Sequence, residues 1–473
     1  MTTRRKPHLP RSLEVPTGAR PLIQTDTAVA ISTPRGEGGI GVVRLSGPEA
    51  VAIGRQLFCS QHPLGQRVRR VEYGQVLAMG QPIDKGVAWV FAAPHSYTGE
   101  DTVEISCHGS MVVLESVVAE ALRLGAVSAG PGEFTRRAFV NGRLDLLEAE
   151  AVIDLIQAQS KGSLENAYGL AGGRLSEMVR ALKARVVKGL ALIEVGLDFS
   201  DQDIDEINRQ QLRAELGEVV AGARNLADTF EGTKRRQDGY LVAMIGRPNV
   251  GKSTLFNALL GEDRAIVTPI PGTTRDRIEG LTTWSGEAIR LVDTAGIRQA
   301  DDPIEIAGIE RTTQALSEAD IVLAIFDSSV AWCDDDRVAV DRLPGENVLV
   351  VFNKVDLPHK LDRSKLRLDA SSSVDISALT GSGIDELKRA AAQRLPPRQD
   401  VDGVGITRQR HYDCLSCAIR SGENAAGLID AGEPDECVAV ELQAGLKALG
   451  EMLGEGVEED VLDSIFSDFC IGK

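Results

Sequence analysis

The segment YLVAMIGRPNVGKS (Tyr240–Ser253) constrains this chain more than any other stretch. Six apolar residues run into the pattern G-x-x-x-x-G-K-S, and the helix-forming STLFNALLG follows. A continuous apolar run suits a parallel strand buried on both faces. A glycine loop between such a strand and a helix turns backbone N–H groups around phosphate oxygens. The candidate cradle is Asn249, Val250, Gly251, Lys252, Ser253 and Thr254, with Lys252 reaching the β- and γ-phosphates and the Ser253 hydroxyl ligating Mg²⁺.

Three more motifs follow in a fixed order, each at a strand end. IRLVDTAG closes with Asp293, Thr294, Ala295 and Gly296, where a γ-phosphate sensor belongs. VLVVFNKVD closes with Asn353, Lys354 and Asp356. The Asp356 carboxylate accepts from the N1–H and 2-amino group of guanine, a donor pair that adenine lacks. Ser377, Ala378 and Leu379 then offer a backbone N–H to guanine O6. The expectation is a Ras-like α/β P-loop domain that binds GTP. Between the first two motifs lies Thr268, Pro269, Ile270, Pro271, Gly272, Thr273 and Thr274, a switch loop whose Thr274 is the natural second Mg²⁺ ligand. Ras-like switches orient the attacking water with a glutamine. Here that position is Ile297, so the chemistry needs another group. Nearby polar candidates are Arg298, Gln299, Asp301, Asp302 and Glu305, and an ion in place of an arginine finger would add the missing positive charge.

The remaining texture divides the 473 residues into domains. Residues 1–23 are basic and proline-rich and read as a disordered extension, with a transit peptide as the other reading. Residues 24–141 alternate short Val/Ile-rich runs with glycine turns around one helical stretch, an α+β pattern. Residues 142–236 and 397–473 carry long helical periodicity and flank the nucleotide domain, 237–396. The predicted fold class is multidomain α+β: an N-terminal domain, a discontinuous α-helical bundle, and a P-loop G domain inserted into it. A net charge of −17 argues against a protein that coats nucleic acid non-specifically. Seven cysteines with no preceding apolar signal segment read as reduced thiols in a cytoplasmic protein, and no run is long enough to span a membrane.

The markers DTAVAISTPRGEGGIGVVRLSG, SYTGEDTVEISCHG, GPGEFTRRAFVNGRLDLLEAEAVIDLI, IPGTTRD and the tail FCIGK resemble the tRNA-modification GTPases of the MnmE/TrmE family, from about Thr25 to Lys473. The resemblance implies an N-terminal domain that dimerises and binds 5-formyl-tetrahydrofolate or a related tetrahydrofolate. It implies a homodimer that joins an FAD-dependent partner of the MnmG/GidA type in a heterotetramer. Together these modify C5 of the wobble uridine in certain tRNAs with a carboxymethylaminomethyl-type group, the folate supplying one carbon. It also implies GTP hydrolysis stimulated by K⁺, with Asn249 as an ion ligand helped by Thr268, Ile270 and Thr273, and Glu305 organising the water. Folate-binding positions fall on Arg44, Glu104 and Arg143, with Lys473 nearby. Arg143 stands where many relatives have lysine, and CHGS replaces the more usual H-G-G.

Cys470 is expected to be functional, as nucleophile at the uridine C6 or as an acid/base near the one-carbon unit. The tail is expected to fold back, with Ile471 as anchor, Gly472 turning the backbone, and Lys473 pairing with a folate carboxylate or Glu104. Cys414 and Cys417 have C-x-x-C spacing but lie in predicted helix and read as ordinary thiols. Cys59, Cys107, Cys333 and Cys437 read as structural, and His108 as a turn residue. The run Arg174–Lys188 reads as a solvated helix face and as the best tRNA-backbone candidate. The rival function is a ribosome-assembly GTPase that binds rRNA, in the manner of Era and EngA; those lack the tail and the folate-like domain.

Overall fold

The computed structural model describes residues 26–66, 70–198, 206–261, 279–293, 316–343, 347–366, 373–397 and 400–473. Its contacts divide into two units, Met1–Glu150 with Leu453–Lys473, and Ala151–Met452.

In the first unit, residues with alternating burial build a seven-stranded sheet. Its strands are β1 (Ala28–Ile31), β2 (Gly38–Ser46), β3 (Phe58–Ser60), β4 (Glu72–Ala78), β5 (Gln81–Phe91), β6 (Thr102–Gly109) and β7 (Val127–Ser128), in the order β3-β4-β5-β6-β2-β1-β7. Only the β1–β7 pair is parallel. Helices α1 (Ala50–Leu57) and α2 (Met111–Arg123) cover one face. Ile53 and Leu57 of α1, and Leu114, Val117 and Ala121 of α2, repeat at helical spacing and bury against Val43, Leu45, Val103 and Ile105. The opposite face keeps half-buried Val42, Arg44, Val87, Glu104 and Ser106. Helix α3 (Glu133–Val140) supplies Phe134, fully buried with Ala28, Ala30 and Ala129.

The first unit ends far along the chain. α14 (Glu459–Ser467) is tied to α3 by Arg136, which reaches Glu459 at 3.3 Å and Asp463 at 2.8 Å. Phe466 packs between Phe139 and Phe469. These contacts group residues 453–473 with the first unit, although by sequence texture they continue the helical bundle.

The second unit holds the bundle and the nucleotide domain. α4 (Leu146–Gln157) leads into it, followed by α5 (Lys161–Ala171), α6 (Arg174–Asp198), α7 (Glu206–Ala227) and α8 (Phe230–Asp238). The six-stranded sheet contains β8 (Tyr240–Ile245), β9 (Glu279–Trp284), β10 (Glu287–Asp293), β11 (Ile321–Asp327), β12 (Val348–Asn353) and β13 (Ser373–Asp375), in the order β13-β12-β11-β8-β10-β9. The apolar runs expected to be parallel strands are mutually parallel, and β9 adds an antiparallel edge beside β10. α9 (Lys252–Leu260) and α11 (Ile384–Ala392) contribute to the core on one sheet face; a second core, against which Trp332 packs, covers the other, and α10 (Asp334–Asp341) lies between β11 and β12 in sequence. This is the doubly wound layout, in which ligands bind beyond the carboxyl ends of the strands.

The chain returns to the bundle through α12 (Gln409–Ala431) and α13 (Asp435–Leu453). The two halves are stitched by polar contacts that sequence periodicity does not reveal. The Asn166 carboxamide donates to the Gly405 carbonyl at 3.1 Å and accepts from the Gly405 N–H at 2.7 Å. Asp154, buried, accepts from Gln237 at 2.9 Å and Arg408 at 3.1 Å. Among the described residues, no helix is long and apolar enough to cross a membrane.

Asn166→Ala leaves the Gly405 backbone unpaired in a buried place. It is expected to destabilise the bundle by about 1–3 kcal/mol, read as a lower urea midpoint of the helical circular-dichroism signal.

Candidate functional site

The loop after β8 turns through Asn249 at φ 64° and Gly251 at φ 96° before α9 begins. Gly251 also lies so close to the Asn353 carboxamide that a β-carbon there would collide with Nδ2. Lys252 is buried, and its ammonium donates to the Gly246 and Arg247 carbonyls, each at 2.7 Å. The loop is thus curled around its own lysine, and the exposed Ser253 and Thr254 follow at the helix N-terminus, where anions are favoured.

Asn353 fastens this loop to the segments expected to read guanine. Its Nδ2 donates to the Val250 carbonyl at 2.8 Å. Its Oδ1 accepts from the N–H of Lys354 at 2.8 Å and of Ala378 at 2.9 Å. One side chain therefore joins the phosphate loop, the end of β12 and the turn after β13. Asp356 is exposed just beyond, and Ser377 is buried with its hydroxyl accepting from the Thr380 N–H at 3.2 Å. Lys354 adds a second link, donating to the Asn249 carbonyl at 2.9 Å and to Asp327 at 2.6 Å. Burial pushes the Asp327 carboxyl up, but the Lys354 ammonium and two bonds from Ser329 outweigh it and hold the group below its ordinary value. Arg247 reaches the buried Asp336 at 3.1 Å, so a charged pair backs the loop from behind. Asp293 ends β10, buried. Thr268, Pro269, Ile270, Pro271, Gly272, Thr273, Thr274, Thr294, Ala295, Gly296 and Glu305 lie outside the described residues.

A second constellation forms in the first unit. Arg44 on β2 and Glu104 on β6 are directly opposed in register and paired at 2.7 Å. The guanidinium lies over the rings of Phe134 and Tyr97, at 5.4 and 5.9 Å from their centroids. Its other arm donates to the Gly472 carbonyl at 3.3 Å. The tail seats here. Ile471 bridges Pro131 in antiparallel fashion, and the Phe134 N–H donates to the Lys473 carbonyl at 3.1 Å. Gly472 has φ 98°, and a β-carbon on it would collide with the Ile31 carbonyl, so glycine is required on two counts. The Lys473 ammonium is pushed down by burial and by Arg44, partly offset by Glu104 and Cys470. Cys470 is exposed.

The expected anchor of the tail is corrected. The Ile471 side chain is 55% exposed and contributes through its backbone, whereas Phe469 is 5% exposed and packs on Phe466. The Phe469 ring packs on Phe466, which in turn meets Phe139 of α3, while the Ile471 side chain faces outward.

A model of the MnmE helical domain matches residues 146–470, and a model of the TrmE N-terminus, described as that of a GTP-binding protein, matches residues 27–143. The tRNA modification GTPase MnmE of Geobacter metallireducens is 41% identical over 454 residues, covering 95% of this chain and 99% of that protein. The chain belongs to the MnmE family of tRNA modification GTPases. The MnmE of Desulforamulus reducens is 38% identical over 458 residues, with 95% and 99% covered. Among solved structures, the G domain of T. maritima FeoB is 31% identical, covering 33% of this chain and 98% of that one, at TM-score 0.26.

Other residues singled out in this MnmE-family chain fall as follows. Arg143 is exposed after α3, beside Gly99. Cys414 and Cys417 lie on α12, and burial pushes the Cys414 thiol up to about 11, which keeps it protonated at neutral pH. Burial likewise raises Cys107 to about 11. Among the described residues, no group of three or more His, Cys, Asp or Glu is placed to hold a metal ion. On α6, Arg185 and Lys188 are both paired with Glu215, at 2.7 and 2.6 Å, which favours the solvated-face reading for those two. His108 is not a turn residue; it lies in β6, one residue before its end, and pairs with Asp84. Sequence reading missed Asp327, although it ends an apolar run as Asp293 and Asn353 do. It also missed Tyr97 and Phe134, whose aromatic role depends on a fold-level encounter with Arg44.

Gly472→Ala is expected to unseat the tail. The amide of Phe134 would then lose protection by at least tenfold in hydrogen–deuterium exchange, while Lys354 and Asn353 amides in the other unit keep theirs.

Proposed function

We propose that this GTPase, with an FAD-dependent partner of the MnmG type, installs a carboxymethylaminomethyl-type group at C5 of the wobble uridine of certain tRNAs, acting in the cytoplasm as a homodimer. The observation that carries this reading is the tail: Arg44, paired with Glu104, binds the Gly472 carbonyl, and the Lys473 ammonium lies within electrostatic reach of Arg44, Glu104 and Cys470.

The donor set fits a folate. Arg44 and Glu104 offer adjacent donors and acceptors, as the edge of a pterin demands, and Lys473 supplies positive charge near them. Arg143 is a fourth candidate contact. The folate, when bound, supplies the one-carbon unit; Cys470 acts on the pyrimidine or the one-carbon centre.

The nucleotide site fits GTP and Mg²⁺. Lys252 is positioned by the loop it would exchange for phosphate oxygens, and the Ser253 hydroxyl is free to face a cation, with Thr274 as its partner ligand. Asn249, exposed and with its backbone carbonyl held by Lys354, suits a K⁺ ligand, with Thr268, Ile270 and Thr273 completing the set and Glu305 ordering the water. An ion there supplies positive charge to the transition state, which Ile297 cannot replace.

Two outcomes are expected. Hydrolysis by the full chain should run much faster in K⁺ than in Na⁺, Asn249→Ala should erase that difference, and Glu305→Ala should slow turnover without weakening nucleotide binding; equal rates in both salts would remove the ion. Cys470→Ser should abolish wobble-uridine modification in a deletion strain, measured by mass spectrometry of tRNA nucleosides, and leave GTP hydrolysis and folate binding intact. Normal wobble uridines from that variant would reduce the tail to a clasp.

A further inference from the structure

Two residues that are not glycine are held in the left-handed region where the nucleotide motifs meet. Asn249 of the phosphate loop has φ 64°, and Lys354 after β12 has φ 65°. An L side chain crowds the following carbonyl there; asparagine tolerates this and lysine seldom does. Such a conformation persists only where the surroundings hold it. One ammonium holds both residues. Lys354 Nζ donates to the Asn249 carbonyl at 2.9 Å and to Asp327 Oδ2 at 2.6 Å.

Asp327 is built to receive that ammonium. β11 and β12 are parallel with Asp327 beside Asn353, so the carboxylate ends its strand next to the residue that precedes Lys354. Its side chain is 5% exposed. Oδ1 accepts from the Ser329 N–H at 2.9 Å and from the Ser329 hydroxyl at 2.6 Å, which fixes the carboxylate and turns Oδ2 to Lys354. Arg247 of the phosphate loop comes within 4.0 Å of Oδ2, but its Nε lies closer to the buried Asp336, at 3.1 Å. Asp336 is thus the main partner of Arg247, and Asp327 that of Lys354. Buried charges need such partners, because an uncompensated one is costly.

A brace serving the fold alone would not need to join these particular segments. Lys354 lies between Asn353 and Asp356, and its left-handed turn sets the direction in which the chain leaves β12 towards Asp356. On the other side it holds the Asn249 carbonyl, one residue before the Val250 carbonyl that Asn353 holds. The segment expected to grip the base and the loop expected to grip the phosphates are therefore linked through this ammonium. A nucleotide held at both ends leaves when the two grips loosen.

We infer that Asp327 is a positioning residue that acts through Lys354 to set how long a guanine nucleotide stays bound. The inference rests on the guanine-nucleotide reading of this site. With the carboxylate present, the ammonium stays on the Asn249 carbonyl and the turn after β12 is kept. Without it, the ammonium has one neutral carbonyl against full hydration, and water wins. Lys354 then leaves the left-handed region, and the two grips open independently. Changes of this kind act mainly on the rate of departure.

The test follows release of N-methylanthraniloyl-GDP from the full chain by stopped flow, with unlabelled GDP in excess. Asp327→Asn keeps the shape and an oxygen for Ser329 but lacks the charge, and release should quicken about tenfold or more. Lys354→Met, at a side chain 32% exposed, should quicken release at least as much. In the Lys354→Met background, Asp327→Asn should add less than about twofold, because the residue it acts through is gone. A merely structural carboxylate would quicken release by the same factor in both backgrounds, and that outcome overturns the inference. Release at the wild-type rate from Asp327→Asn overturns it as well, as does the same result from Lys354→Met should Asp327→Asn fail to fold. In each of these cases the nucleotide reading stands. Wild-type protein that binds no GDP overturns the nucleotide reading, and the role of Asp327 falls with it.

Discussion

The nucleotide site depends on one carboxamide. Asn353 holds the Val250 carbonyl, the Lys354 N–H and the Ala378 N–H at once. Three loops from separate strand ends would otherwise move independently, and each would lose conformational entropy on binding. Because the amide is buried, its bonds are strong relative to water and any loss leaves unpaired groups. Gly251 is the counterpart: only a residue without a side chain lets the phosphate loop approach Asn353. The loop after β8 and the segments after β12 and β13 are thus tied together, and Lys354 with Asp327 reinforces the link.

The first unit shows a comparable economy. Arg44 is stacked on two rings, paired with Glu104, and bound to the tail carbonyl of Gly472. Each contact limits the guanidinium in a different direction and so fixes its orientation. Helices α1 and α2 pack on the core side of the sheet, while Phe134, Tyr97 and the tail meet Arg44 on the other.

Much of this was legible in the sequence because the G domain writes its chemistry at strand ends. An apolar run followed by a short polar motif fixes both the strand and the group at its mouth, as IRLVD, VLVVFN and YLVAMIG each do. The helical stripes and the inserted arrangement were readable for the same reason: periodicity reports burial. The antiparallel edge strand β9 was not foreseen, since EGLTTW carries no long apolar run. Nor was Phe469 as anchor, because Phe469 and Ile471 are equally apolar and only the turn at Gly472 decides which points inward. Asp84 and His108 lie 24 residues apart, and no spacing rule brings a strand residue and a distant histidine together.

The contact between Arg44 and the Gly472 carbonyl joins residues 428 positions apart. Closing so long a loop costs little more entropy than closing a short one, since the cost grows only logarithmically. Time is a different matter. Domains fold as they leave the ribosome, amino-terminal first, so β2 and β6 can pair long before residue 472 exists. The Arg44 site then waits, with its rings and its glutamate assembled, through the synthesis of the whole bundle and G domain. Seating of the tail therefore comes after the residues of the second unit have been made, and the first unit is assembled in two stages.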